Sequence, residues 1–323
     1  METRQLTHTD LTISRLCMGT MTYGSQVTEA DAQRMTDFCL DSGINFFDTA
    51  NVYNQGLSEE ITGRCLGDRR KDVVLATKAR GKMDGDDGYA GLAPAAIRRA
   101  LEDSLRRLNT DYVDLYYLHM PDDSVPIEDS LGTLEELRRE GKIRYGSASN
   151  YSAWQMCEMK FLADNNGWQP VTVTQPMYNL LARGIEQEYI PFAKKFGASL
   201  VVYNPLAGGL LTGKQNLQTG PIAGTRFDKN ERYLNRYWHE DYFGAVQGVK
   251  AVAENAGRSM VELALRWLMQ QEPVDSIILG ASSMGHLEAN ITAAQSDDLS
   301  DETMAECDEV WQRLRGCTPF YNR

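Results

Sequence analysis

Short apolar runs of strand type recur through this chain, and most of them end in a polar or glycine residue that apolar packing does not require. The series is Asp48, Lys78, His119, Ser149 with Asn150, Gln175, Tyr203 and Gly280, each after a segment such as Asn45-Phe46-Phe47 or Val73-Val74-Leu75-Ala76. Helical patterns fill the intervals. Ala95 to Leu108 sets Ile97, Leu101, Leu105 and Leu108 on one stripe, with Pro94 suited to the first turn. Ile127, Leu131, Leu134 and Leu137 repeat that spacing until Gly141 supplies a stop, and Ile143 to Ala148 begins the next strand. Strands that alternate with helices form a parallel sheet. Counting Leu16-Met18 first and Ile277-Leu279 last, with Phe46, Val73, Val113, Ile143, Val171 and Leu200 marking the others, predicts eight strands. Eight parallel strands close a (β/α)8 barrel, whose carboxyl ends all open on one face, so polar groups spread from residue 48 to residue 280 would meet there.

The remaining segments fit around that frame. A hairpin is expected around His8-Thr9-Asp10, and an amphipathic helix from Asp301 to Leu314 leads into the tail Phe320-Tyr321-Asn322-Arg323. Ala207 to Trp238, after the seventh barrel strand, is too long for a turn and reads as a functional loop or a disordered segment. With 323 residues, 42% of them hydrophobic, the chain can bury one large core, and one domain over 1–323 is expected.

Composition narrows the partners. A net charge of -12 repels phosphate backbones and anionic lipid surfaces, which argues against nucleic-acid and membrane partners. No apolar run approaches a bilayer span, and Met1-Glu2-Thr3-Arg4-Gln5 lacks a signal-peptide pattern, so the expected location is cytoplasmic. The cysteines at 17, 39, 65, 157, 307 and 317 include no Cys-x-x-Cys pair; a zinc site is not expected, and thiols in the core or on helix faces are. His8 and His239 lack a second ligand at metal spacing, and Trp154, Trp267 and Trp311 fit helix packing faces.

The strand ends carry a coherent chemistry. Tyrosine, with a reference pKa of about 10, is a poor acid at neutral pH. An ammonium beside it favours the phenolate, and a carboxylate holds that ammonium in place. Asp48, Tyr53 and Lys78 supply these parts, and His119 can orient a carbonyl oxygen near the phenol. Any one of them alone is more often a cap or a solvated charge; the set is the signal.

Asn45-Phe46-Phe47-Asp48-Thr49-Ala50-Asn51-Val52-Tyr53, Ser58-Glu59, Thr77-Lys78 and Asp111-Tyr112-Val113-Asp114-Leu115-Tyr116-Tyr117-Leu118-His119 together resemble the aldo-keto reductase superfamily, essentially over the whole chain. The resemblance implies a catalytic tetrad at Asp48, Tyr53, Lys78 and His119. It also implies that Ser149, Asn150 and Gln175 hold the nicotinamide carboxamide and that Tyr203 lies under the nicotinamide ring. Asn204-Pro205-Leu206-Ala207-Gly208-Gly209-Leu210-Leu211-Thr212-Gly213-Lys214 resembles the pyrophosphate loop of the family, with Asn204, Pro205, Leu206, Gly208, Leu210 and Lys214 as contacts. The same stretch nearly matches a nucleotide-hydrolysing P-loop, but Gln215 stands where a magnesium-binding hydroxyl is needed. A Rossmann fingerprint is also missing after the first strand.

Gly280, Ser282, Ser283, His286 and Asn290 resemble the adenosine end of the cofactor site, where a helix start would attract phosphate. Many members carry an arginine at the position of His286 that binds the extra phosphate of NADP; here Arg226 and Ser283 are the residues that could replace it. NADPH is the expected cofactor, with NADH as the open alternative.

His119-Met120-Pro121-Asp122, Met177-Tyr178-Asn179, Tyr233-Leu234-Asn235-Arg236-Tyr237-Trp238 and Arg323 are most similar to the aflatoxin-aldehyde and succinic-semialdehyde reductase subfamily. The resemblance implies a substrate pocket with Tyr53, His119, Tyr233, Arg236 and Arg323, in which arginine grips a carboxylate bidentately. Reduction of aldehydes or reactive dicarbonyls is therefore expected, without a metal, possible homo-oligomers being left open. The competing expectations are an NAD(P)-dependent alcohol or sugar dehydrogenase and a cofactor-sensing barrel subunit of a membrane protein.

Overall fold

The structure is a computed structural model that describes residues 1–83 and 85–316. An antiparallel hairpin of β1 (Thr3–Gln5) and β2 (Thr12–Ser14) opens the chain and turns through His8, whose φ is 58°. Eight strands then close a barrel: β3 (Leu16–Gly19), β4 (Phe46–Asp48), β5 (Val74–Ala79), β6 (Val113–Leu118), β7 (Ile143–Ser149), β8 (Val173–Gln175), β9 (Ser199–Val202) and β10 (Val274–Gly280). All barrel pairs are parallel, and β10 returns to β3 with Ile277 opposite Leu16 and Gly280 opposite Gly19. The expected (β/α)8 barrel is thus the fold. β5 and β8 begin at Val74 and Val173, just past the expected markers Val73 and Val171.

Helices occupy the crossovers: α1 (Glu29–Asp41), α2 (Leu57–Leu66), α3 (Pro94–Leu108), α4 (Ile127–Arg139), α5 (Ala153–Asn166) and α6 (Tyr189–Phe196). Pro94 starts α3, where its missing N–H costs nothing, and Asn109 ends it in the left-handed region with φ 49°. Beyond β9 lie α7 (Glu231–Tyr237), α8 (Glu240–Asn255) and α9 (Met260–Met269); α10 (Met284–Ala294) and α11 (Asp301–Arg315) follow β10. The long connection after β9 is therefore folded, since it contains a 3-10 turn over Ala207–Thr212 as well as α7. Phe227, Tyr233 and Tyr237 bury their rings and fix its path.

The period-two alternation of the strands sorts side chains into two apolar layers. Leu115 and Tyr117 point into the barrel with Cys17, Phe46, Val74, Ala76, Val173 and Val201, and Leu6, Leu11 and Ile13 of the hairpin region join this inner layer. Tyr116 and Leu118 belong to the outer layer against the helices, where the Tyr116 hydroxyl donates to the Ile97 carbonyl at 3.0 Å. Each large apolar side chain so buried contributes about 1.5–3 kcal/mol, and the inner layer keeps water out from beneath the site. Trp267 is buried as expected, but Trp154 is 63% exposed on α5, because Met156 and Met159 occupy the inward face of that helix. Cys17, Cys39, Cys65 and Cys307 are buried free thiols, Cys157 is half-buried, and Cys317 lies outside the described residues. Among the described residues no helix is long and apolar enough to cross a membrane.

A buried charge network docks α2 and α3 onto β5, the strand that carries Lys78. Glu59 is fully buried; it accepts from Arg107 Nε at 2.7 Å and from the hydroxyl of Thr77, the residue before Lys78. Gly63 permits the approach, since a Cβ there would stand 2.4 Å from the Leu108 carbonyl oxygen. Glu59→Ala leaves a guanidinium short of its partner in a dry interface, a change expected to cost about 3–5 kcal/mol. Urea unfolding measures it, and a loss under about 1 kcal/mol would mean that Arg107 finds water or another partner.

Candidate active site

The carboxyl end of β4 presents Asp48, and neighbouring β5 presents Lys78 two residues beyond the partner of Asp48, Ala76. Both side chains are buried. An ammonium has three donors, and Lys78 uses them on Asp48 Oδ1, the Thr49 carbonyl at 2.6 Å and the Tyr53 hydroxyl. The second carboxylate oxygen of Asp48 accepts from Gln175 Nε2 at 2.9 Å. Tyr53 is held at this place by a left-handed turn through Asn54 and Gln55, φ 50° and 55°, which Asn54 Nδ2 ties to the Tyr23 carbonyl at 2.6 Å. Burial works against the charged ammonium, yet the charges of Asp48 and Tyr53 carry the Lys78 pKa above its ordinary value. Lys78 was expected to lower the pKa of Tyr53, and its charge does pull in that direction. Burial of the phenol outweighs it, so the net shift of Tyr53 is upward and the phenol stays protonated at neutral pH.

His119 follows β6 directly, its N–H donating to the Ala79 carbonyl at 3.0 Å. Its ring stands edge-on to Tyr53 with centroids 6.1 Å apart. Burial first, then the charges of Lys78, Arg232 and Arg80, push its pKa from 6.5 down to about 3, so the imidazole is neutral across the physiological range.

The expected carboxamide-binding residues form one hydrogen-bonded belt. Asn150 donates to the His119 carbonyl at 2.8 Å and to Ser149 Oγ at 3.0 Å, and accepts from the Tyr203 hydroxyl at 2.6 Å. Ser149 Oγ donates to the Gln175 carbonyl at 2.9 Å, and Gln175 returns the chain to Asp48. This link from Gln175 to the carboxylate is absent from the sequence reading, because register across the barrel creates it.

Beside this belt, the turn after Tyr203 is built from left-handed residues: Asn204, Ala207, Gly208, Gly209 and Gly213. Asn204 spends its side chain on Gly208 N at 2.7 Å and the Tyr237 hydroxyl at 2.8 Å. Pro205 and Leu210 are buried, Leu206 is half-buried, and Lys214 is exposed. Gly208 is required where it stands, as a Cβ would meet the Tyr233 ring at 2.7 Å. Arg226 and Arg236 place their guanidinium carbons 5.4 and 5.5 Å from the Tyr233 ring centroid. Arg226 also lies beside Gly280, 3.9 Å from where a Cβ would be. Ser283 caps α10 by accepting from His286 N at 3.3 Å, Ser282 pairs with the His286 ring at 3.0 Å, and Asn290 is buried deeper in the helix. Arg323 lies outside the described residues.

A dinucleotide suits this donor set. Side-chain amides and a hydroxyl line one wall, an aromatic ring follows β9, and a helix start near Arg226, which forms no ion pair among the described residues, offers an anion site. Arg80, directly after β5, was not among the expected residues, although its charge acts on His119. Among the described residues no cluster of His, Cys, Asp or Glu is arranged to hold a metal ion.

A parallel barrel with these groups at its carboxyl end is the frame of a nicotinamide-dependent oxidoreductase. Residues 15–312 match the model of the Aldo/keto reductase family, and the chain belongs to this family of NAD(P)H-dependent oxidoreductases. It is 36% identical to aflatoxin B1 aldehyde reductase member 2 of Rattus norvegicus, over 95% of this chain and 87% of that one. It is also 36% identical to aldo-keto reductase family 7 member A3 of Homo sapiens, over 95% and 96% of the two chains. A protein of Arabidopsis thaliana named "Probable voltage-gated potassium channel subunit beta" is 35% identical over 91% of each.

The buried neutral imidazole has a consequence for stability. Unfolding exposes the ring, which takes up a proton below about pH 6.5, whereas the folded ring resists down to about pH 3. The unfolded chain therefore binds the extra proton in this window, and His119 makes stability fall as pH drops through it. His119→Gln is expected to flatten the stability curve between about pH 6.5 and 3 in denaturant titrations. An unaltered slope would show that the folded ring protonates freely.

Proposed function

We propose that this chain reduces aldehydes or reactive dicarbonyls to alcohols with NADPH and favours aldehydes bearing a carboxylate. The observation that carries the reading is the Lys78 ammonium, shared among Asp48, the Thr49 carbonyl and the Tyr53 hydroxyl at the barrel mouth. Relatives named as aflatoxin B1 aldehyde reductases support the choice of an aldehyde. The bound cofactor supplies the hydride. Tyr53 donates the proton to the carbonyl oxygen, Lys78 holds the hydroxyl and stabilises the phenolate left behind, and Asp48 positions Lys78. His119, neutral and edge-on to Tyr53, orients the carbonyl through its ring N–H.

Ser149, Asn150 and Gln175 would hold the carboxamide, Tyr203 would support the ring, and the turn from Asn204 through Pro205, Leu206, Gly208 and Leu210 to Lys214 would follow the pyrophosphate. Arg226, Gly280, Ser282, Ser283, His286 and Asn290 would take the adenosine end. Tyr233 and Arg236 would face the substrate, with Arg323 as a further substrate contact. A protonated phenol favours reduction over alcohol or sugar oxidation, which would need the phenolate as base. The potassium-channel relative keeps the binding-subunit reading in view, but the complete proton-donor group favours catalysis. Free thiols and an acidic surface suit a cytoplasmic protein, and the whole of 1–323 is taken as one domain.

Tyr53→Phe is expected to lower kcat by roughly 10²- to 10⁴-fold with cofactor affinity nearly intact, the loss typical of a missing general acid. Near-normal turnover of 4-nitrobenzaldehyde by this variant would remove Tyr53 from the reaction. Fluorescence titration of the wild type should show tighter NADPH than NADH. Arg226→Ala should narrow that gap by roughly 10-fold or more, since hydrogen bonds to charged groups contribute about 1.5–3 kcal/mol. Equal affinities in the wild type would overturn NADPH preference, and an undiminished gap in the variant would move the phosphate site away from Arg226.

A further inference from the structure

The arginines of this acidic chain are heavily engaged with carboxylates, from Arg15 with Glu2 at the closed end to Arg98, Arg138 and Arg258 on the helices. Arg80, Arg226, Arg232 and Arg236 are different: among the described residues none of them forms an ion pair, and all four stand at the barrel mouth. Arg80, Arg226 and Arg236 are half-buried and Arg232 is exposed; the Asp122 carboxylate feels the charge of Arg80 but forms no ion pair with it. A guanidinium partly withdrawn from water without a carboxylate in ion-pair contact is costly. Its persistence at one place points to a ligand.

Arg80 is the least expected of the four. It is half-buried, its Nε is buried with no hydrogen-bond partner among the described residues, and its backbone takes φ 133°, a conformation that a side chain other than glycine rarely adopts. The turn is held there from both sides. The Arg80 carbonyl accepts from Gly91 N at 3.1 Å, and Gly81 packs so tightly on Val52, next to Tyr53, that a Cβ would stand 1.8 Å from a Val52 methyl. His119 N bonds to the Ala79 carbonyl, so Arg80 and His119 leave adjacent strands as neighbours. Arg232 comes from α7, in the connection after β9, which is four strands from β5 in the barrel order. Both positive charges act on the His119 ring.

We propose that Arg80, with Arg232 from the opposite side of the mouth, forms an anion subsite beside His119 that binds a carboxylate of the carbonyl substrate. This rests on the reading of the mouth as a carbonyl-reducing site and adds to it a recognition element separate from Arg236. A strained turn that fixes a guanidinium next to the carbonyl-orienting imidazole pre-organises the charge and selects aldehydes whose carboxylate lies close to the reacting group. In 2-carboxybenzaldehyde the two groups are on adjacent ring carbons; in 4-carboxybenzaldehyde they lie at opposite ends.

Arg80→Gln and the charge-keeping Arg80→Lys test this with Arg236→Ala as comparator. Arg80→Gln should lose roughly 10- to 150-fold in kcat/KM on 2-carboxybenzaldehyde, far less on 4-nitrobenzaldehyde, and Arg80→Lys should recover part of the loss. Calorimetric titration of the NADP-saturated protein with phthalate, which carries the same adjacent carboxylate, should show binding weakened in parallel. Equal losses on charged and neutral aldehydes, or unaltered phthalate binding, would overturn the subsite. A defect confined to NADPH affinity would also overturn it, because the anion would then be a cofactor phosphate. Selectivity lost in Arg236→Ala but kept in Arg80→Gln would refute Arg80 alone and leave carboxylate recognition standing, whereas a wild type inactive on every aldehyde would refute the carbonyl-reductase reading itself.

Discussion

The buried pair of Asp48 and Lys78 is the interaction on which the rest of the site depends. Two charges withdrawn from water cost several kcal/mol each, and attraction between them offsets this only when the remaining donors and acceptors are satisfied. Here they are: Lys78 has an acceptor for each N–H, and both oxygens of Asp48 are used. Every partner comes from a strand end or the turn after it, so closure of the barrel and satisfaction of the pair require each other. Gln175 extends the arrangement across the barrel, and the belt through Ser149 and Asn150 brings it to His119 and Tyr203. The wall that suits a nicotinamide and the group that suits proton donation are therefore one hydrogen-bonded structure, and displacement of either is felt by the other.

Electrostatics divides the molecule. The chain as a whole is acidic, while at the mouth stand arginines that form no ion pair among the described residues. At physiological ionic strength charges are screened beyond about 8 Å, so distant carboxylates do little to cancel a cationic mouth. Anionic ligands can be drawn to it. Burial, helped by the charges of Lys78, Arg232 and Arg80, keeps His119 neutral, which leaves it able to donate from one ring nitrogen without competing as an acid at neutral pH.

Backbone strain is concentrated at this face as well. Asn54, Gln55, Arg80, Asn150, Asn204 and Ala207 all have positive φ at or just beyond a strand end. Asparagine tolerates that region because its amide bonds to nearby backbone, as Asn54 does with the Tyr23 carbonyl. Gln55, Arg80 and Ala207 lack that excuse and are held by surrounding contacts. The two apolar layers beneath supply the rigidity that makes such conformations tolerable.

Much was legible in the residues themselves. Strand and helix periods and their alternation depend on local sequence, which is why Pro94 to Leu108 and Ile127 to Arg139 emerge near their observed limits. The eight-strand count made convergence of Asp48, Lys78, His119, Ser149 and Gln175 a matter of topology, and Tyr53 followed from the chemistry of a phenol beside an ammonium and a carboxylate, to which the motif resemblance added. What local pattern could not carry was the sign of competing long-range terms. Whether burial or Lys78 governs the phenol of Tyr53, whether Trp154 faces inward or out, and which arginines find carboxylates each depend on neighbours remote in the chain. Sequence by itself determined the barrel and the chemical inventory of its mouth, because these rest on periodicity and residue type. Only the tertiary structure decided protonation, the Gln175 link to Asp48 and the burial of the Arg80 Nε without a hydrogen-bond partner among the described residues, because desolvation and pairing act between side chains that meet solely through the closed barrel.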